Sequence, residues 1–126
     1  MVARQSFPPA QYIADADALQ VLANELLREP LVAIDTESNS MHAYHSRVCL
    51  IQVSTRARDY IIDPLALKDL RPLAPVFQSE TVEKVFHAAE YDLICLKREF
   101  DFEVVNLFDT MRSEERRVGK ECRSRW

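Results

Sequence analysis

Leu31-Val32-Ala33-Ile34 runs directly into Asp35-Thr36-Glu37. An aliphatic run this short, preceded by Pro30, is a strand rather than a helix, and its composition predicts burial on both faces. A chain that must bury such a strand needs neighbouring strands and covering helices, so the run commits it to a sheet. The strand then delivers two carboxylates at its end. Side chains at i and i+2 of a strand point the same way, which places Asp35 and Glu37 on one face while Thr36 turns to the other. Two like charges side by side repel and raise each other's pKa unless a cation lies between them. A hard divalent ion with oxygen ligands, magnesium above all, meets that need.

The rest of the chain supplies the sheet. Leu19, Leu22, Ala23, Leu26 and Leu27 follow the spacing of an amphipathic helix, with Asp15 or Asp17 as N-cap and Pro30 as its stop. Residues 31–37 form the first main strand, residues 38–46 a polar loop with His42, Tyr44 and His45, and residues 48–53 a second strand apolar on both faces. Tyr60-Ile61-Ile62 gives a third strand ended by Asp63-Pro64. Leu70, Leu73 and Phe77 indicate a short helix restricted by Pro72 and Pro75. Val85-Phe86 is a fourth strand, residues 88–100 a helix, and residues 104–108 a short fifth strand. Neighbouring strands followed by alternating helix and strand indicate an α/β domain, a mixed five-stranded sheet with flanking helices.

Asp92 falls in the first turns of that last helix, on a stripe with Ala88, Ala89, Cys95 and Leu96. An aspartate in an apolar stripe either bonds inward to an amide or an arginine, or joins Asp35 and Glu37 where the strands end. Open α/β sheets bind ligands at that end.

Four blocks resemble bacterial ribonuclease D. They are Val32-Ala33-Ile34-Asp35-Thr36-Glu37-Ser38-Asn39-Ser40, Arg47-Val48-Cys49-Leu50-Ile51-Gln52-Val53-Ser54-Thr55, Phe86-His87-Ala88-Ala89-Glu90-Tyr91-Asp92-Leu93 and Asn106-Leu107-Phe108-Asp109-Thr110. The resemblance spans residues 12–111, with the blocks in the family's order and spacing. It implies a ribonuclease H-like fold and membership of the DEDD 3′–5′ exonucleases, which trim single-stranded RNA 3′ ends (DNA being a second candidate) with two Mg²⁺ or Mn²⁺ ions and release nucleoside 5′-monophosphates. It implies that Asp35, Glu37 and Asp92 are the catalytic, metal-binding carboxylates, and that Asp109 has a capping or structural role. Thr36, His42, Tyr44 and His87 are candidates for contact with the terminal nucleotide, His87 having a satisfied hydrogen bond at the strand end as its other reading. The family's third motif, Y-x-x-x-D, has no match, since the last tyrosine here is Tyr91. A non-catalytic nucleic-acid-binding or scaffold module of the same fold is the alternative from another class.

Composition changes at residue 112. Residues 112–126 carry six basic and three acidic side chains, which leaves the preceding 111 residues with 10 basic and 17 acidic ones, a net charge of −7. The only glycine and the only tryptophan, Gly119 and Trp126, also lie in this segment. A nucleotide-binding fold built on a glycine-rich phosphate loop is therefore excluded for residues 1–111, and a haloacid-dehalogenase-type phosphatase needs D-x-D where Glu37 stands. Residues 112–126 resemble the translation of a short-read sequencing adapter, so they are expected to be a non-native tail after an exonuclease domain incomplete at its C-terminus. The expectation is then a sheet with one face short of cover, weak metal binding, and little or no activity for the polypeptide as it stands. Cys49, Cys95 and Cys122 show no metal-ligand spacing, and Cys49 and Cys95 are expected as core fillers. With no apolar stretch near the roughly 18 residues of a membrane span and no signal-peptide pattern, a cytoplasmic protein without membrane partners is expected.

Overall fold

The structure, a computed structural model, describes residues 8–39 and 47–111. Expectations for His42, Tyr44 and residues 112–126 lie outside the described residues.

Asp15 sets the first helix. Its backbone is extended (φ −133°, ψ 160°) and its carboxylate accepts from the Ala18 amide at 2.9 Å, capping α1 (Ala16–Leu26). Leu19, Leu22, Ala23 and Leu26 form the buried stripe of α1, each large side chain contributing roughly 1.5–3 kcal/mol by leaving water. Asp15→Ala is expected to lower stability by about 1 kcal/mol, read as a lower urea midpoint with an unchanged slope.

Strand β1 (Gln11–Ile13) precedes α1, and β2 (Leu31–Asn39), β3 (Arg47–Ser54) and β4 (Asp59–Ile62) follow it. A 3₁₀ turn at Arg71–Leu73 leads into α2 (Ala74–Gln78), then come β5 (Glu83–Phe86), α3 (Ala89–Phe100) and β6 (Leu107–Asp109). The sheet order is β1-β4-β3-β2-β5-β6. The β2–β3 and β3–β4 pairs are antiparallel, whereas β2–β5, β5–β6 and β1–β4 are parallel. Sequence periodicity leads to five strands and the sheet has six. The added strand, β1, is a three-residue edge with two exposed positions, too short to show alternation. The last strand is Leu107–Asp109, shifted from the expected 104–108.

The expectation that β2 and β3 are buried on both faces is not met. Along β2, Val32 and Ile34 are buried while Leu31, Ala33, Asp35 and Glu37 are exposed. Pairing puts Ile34 opposite Val53 and Thr36 opposite Ile51 on the covered face, and Asp35 opposite Gln52 and Glu37 opposite Leu50 on the other. Register shifts after Glu37, where Ser38 pairs with Val48 and Cys49 is left as the extra residue. That bulge returns Val48 to the covered side, where it is buried, and leaves Cys49 half-buried rather than in the core. Cys95 is fully buried, as expected. One apolar cluster joins the covered face to the helices, combining Val32, Ile51 and Phe86 with Leu22, Phe77 and Leu96. The opposite face keeps Leu31 43% exposed and Tyr12 60% exposed.

Two polar contacts tie helices to the covered face. Beyond Ile51 the β3 edge runs past its pairing with β4, and there Glu99 of α3 accepts the Val48 amide with both carboxylate oxygens at 2.9 Å. Lys84 of β5 is fully buried and donates from Nζ to the Ser79 carbonyl at 2.7 Å, at the end of α2. Burial holds its ammonium below the ordinary lysine pKa.

Candidate active site

Asp92 is the one buried carboxylate among the described residues, 8% exposed in the first turn of α3. It lies over the covered face of β2, where the Thr36 hydroxyl donates to its Oδ1 at 2.6 Å. Strand alternation turns Thr36 to this face and Asp35 and Glu37 to the other. The sequence thus predicts the direction of Thr36, but only the position of α3 supplies its partner. The hydroxyl expected to be free for a nucleotide is engaged with Asp92.

Burial pushes the Asp92 pKa above the ordinary aspartate value. The Thr36 hydrogen bond opposes that rise, while the negative charges of Asp35 and Asp109 add to it. Asp35 and Asp92 are therefore within electrostatic reach of each other across the end of β2. Asp35 and Glu37 are both exposed, and among the described residues neither has a cationic partner. Thr36→Val keeps the shape but strips Asp92 of its donor. It is expected to destabilise the fold by about 1–3 kcal/mol, measured as a lower denaturant midpoint.

The start of α3 is held from β6. Ala88, at φ 59° and ψ 62°, precedes the helix and offers no side-chain cap. Asp109 supplies one, Oδ1 accepting from the Ala88 amide at 2.8 Å and Oδ2 from the Ala89 amide at 2.7 Å. This is the capping role expected for Asp109, with the donating amides now identified. His87 is exposed, and its Nδ1 shares a 2.8 Å hydrogen bond with the Thr110 hydroxyl. That is the satisfied strand-end role which stood beside a substrate contact.

The donor set is made of carboxylate oxygens, the chemistry of Mg²⁺ or Mn²⁺ and not of a thiolate- or imidazole-bound metal. Among the described residues no three His, Cys, Asp or Glu side chains stand together as a ligand group. Asp35 acts on Asp92, and Glu37 is not among the charges that do. Of the three acids expected to converge, Asp35 influences Asp92, and Glu37 lies two residues further out along β2 on the same exposed face as Asp35. The Asp92–Thr36 bond, the Glu99–Val48 bridge and the buried Lys84 were not anticipated from sequence. Only Thr36 carried a signal, its place between two acids on the face that a helix covers.

A family model described as 3′–5′ exonuclease matches residues 10–121, running past the Met111 boundary read from the sequence. Exosome complex exonuclease RRP6 of Saccharomyces cerevisiae is 38% identical over 100 residues, covering 79% of this chain and 14% of that protein. The catalytic core of RRP6 from Trypanosoma brucei superposes with a TM-score of 0.81 at 33% identity, over 90% of this chain and 34% of that one. The RNase D of Escherichia coli, described as an exoribonuclease involved in structured RNA processing, superposes with a TM-score of 0.77 over 94% of this chain and 35% of that one. At 24% identity that last likeness shows the fold alone. The mixed six-stranded sheet is the ribonuclease H-like fold of these domains, and the chain spans only a minor part of each relative's length. Among the described residues no helix is long and apolar enough to cross a membrane.

Proposed function

Since the chain belongs to the 3′–5′ exonuclease family, we propose that it carries two of the motifs of an exoribonuclease that trims single-stranded RNA 3′ ends. The observation that carries this reading is Asp92, a carboxylate buried against Thr36 with the charge of Asp35 acting on it. An arrangement that raises a buried acid's pKa is costly in isolation and favourable around a cation.

In this reading Asp35, Glu37 and Asp92 would hold two divalent ions, Mg²⁺ or Mn²⁺. When bound, such ions polarise the phosphoryl oxygens, lower the pKa of a water and stabilise the departing oxygen. The Asp35 and Asp92 carboxylates supply negative charge at the end of β2, and Thr36 orients the second of them. The water oxygen attacks phosphorus, the bond from phosphorus to the preceding 3′ oxygen breaks, that oxygen takes a proton, and a nucleoside 5′-monophosphate leaves. His42 and Tyr44 are assigned to the terminal nucleotide. The acidic balance of residues 1–111 agrees with cations, rather than a broad basic surface, neutralising the scissile phosphate. A cytoplasmic protein acting on RNA, with no membrane partner, completes the reading.

A second reading is favoured by one observation: among the described residues no three ligands stand together. The 126-residue polypeptide is then expected to bind metal weakly and to trim little or no RNA, and a non-catalytic nucleic-acid-binding module of the same fold becomes its activity. Residues 1–111 are assigned to the exonuclease domain and 112–126 to a non-native tail. Reading the tail from the source genome would remove that assignment. The exonuclease reading is tested by joining residues 1–111 to a family-like continuation and following the length of a 5′-labelled RNA with Mg²⁺ or Mn²⁺ present. RNA that stays full-length in both metals would sink it.

A further inference from the structure

The turn between β5 and α3 cannot be held by its own residues. Ala88 is in the left-handed region, where a Cβ is crowded by the following carbonyl, and the first amides of α3 need acceptors from outside the helix. Both acceptors come from one side chain on the edge strand β6. The Asp109 carboxylate takes the Ala88 and Ala89 amides, one on each oxygen, and its Oδ1 also accepts from the Met111 amide at 3.0 Å. The neighbouring Thr110 hydroxyl bonds His87 and lies 3.4 Å from the Phe86 carbonyl. β6 is itself registered on β5, Phe86 opposite Asp109. The segment from Phe86 to Ala89 is therefore fastened to β6 at each residue, and Asp92 follows within the first turn of α3, its carboxylate on Thr36.

Resting on the metal-site reading above, we propose that Asp109 is a positioning residue: by fixing the Ala88 and Ala89 amides it sets where α3 begins, and so holds the Asp92 carboxylate in place for a divalent cation. Asp109 acts through the backbone and is not itself assigned as a ligand. A capping group that acts only by its charge would be replaced poorly by any neutral residue. One that acts by geometry is replaced only in part by asparagine, whose single amide oxygen can accept one of the two amides while its NH2 group faces the other.

The test uses the full chain and Mn²⁺ alone as probe, with affinity read from the electron paramagnetic resonance of free Mn²⁺ well below each variant's melting temperature. Asp109→Ala is expected to weaken Mn²⁺ binding about tenfold, in the range of lost outer-shell partners, and Asp109→Asn, which keeps one accepting oxygen, to weaken it less. Val76→Ala, which opens the core under α2, should melt earlier with Mn²⁺ affinity unchanged. Wild-type affinity in Asp109→Ala, with binding abolished by Asp92→Ala, would overturn the proposal and leave the metal site standing. Absence of Mn²⁺ binding by the parent chain would remove the metal-site reading itself. A second measurement addresses Asp109 apart from metal: hydrogen exchange of the first-turn amides of α3 should accelerate in Asp109→Ala while that of Leu96 is unchanged, and unchanged first-turn protection would overturn the positioning role.

Discussion

Asp35→Ala and Asp92→Ala should each slow 3′ trimming by about a thousandfold or more in a domain completed by a family-like continuation after residue 111. That factor corresponds to roughly 4 kcal/mol of transition-state stabilisation, a size expected when a metal-supporting carboxylate is removed from a phosphodiester hydrolase. The two variants damage the site differently. Asp35 is exposed on the uncovered face, so its loss removes a proposed ligand with little effect on folding. Asp92 is buried against Thr36, so Asp92→Ala also leaves the Thr36 hydroxyl without its acceptor. Asp92→Asn separates the effects, since its amide oxygen can still accept from Thr36 while the negative charge is gone. His87→Ala should cost less than tenfold, because the ring is exposed and its Nδ1 is already committed to Thr110. Single-turnover rates on a short RNA at saturating Mn²⁺ measure all four. Trimming that survives Asp35→Ala and Asp92→Asn undiminished is the result the two-carboxylate assignment could not accommodate.

The second large effect is a gain in stability. In chelator, Asp92→Asn is expected to raise the unfolding free energy near neutral pH by about 1 kcal/mol, the scale seen when a strained functional site is relaxed. Burial, with Asp35 and Asp109 adding to it, holds the Asp92 pKa above its unfolded value. The folded state therefore keeps a proton that the unfolded state has already lost. The stability contributed by protonated Asp92 is complete below the ordinary aspartate pKa and is lost as pH rises through the raised folded value. Melting temperatures from pH 4 to pH 7 in chelator should thus fall more steeply for the parent than for Asp92→Asn. Added Mn²⁺ should stabilise the parent and not the variant. Parallel pH profiles would show that Asp92 carries no such penalty.

The order of elements along the chain follows from local chemistry. Asp15 caps α1 because its carboxylate reaches an amide three residues on, and the aliphatic residues of α1 face one way because 3.6 residues make a turn. Strand β1 is not legible in the sequence because three residues carry no period, and its pairing with β4 joins positions far apart in sequence, such as Tyr12 and Ile61. Burial of β2 on both faces was overestimated because aliphatic content is the same whether one face is covered or two. The covered face is chosen by where α1, α2 and α3 pack, which no residue of β2 specifies.

The sequence by itself determined the chemistry: the placement of Asp35 and Glu37 on one side of a strand and Thr36 on the other, and of Asp92 on the apolar stripe of a helix. Those properties depend on the pitch of a single element, which neighbouring residues set. Only the tertiary structure decided that Thr36 meets Asp92 across 56 positions and that Asp109 caps an amide 20 positions away. Such contacts depend on sheet order and register, and these are settled by the burial of the whole apolar cluster at once rather than by the residues that touch.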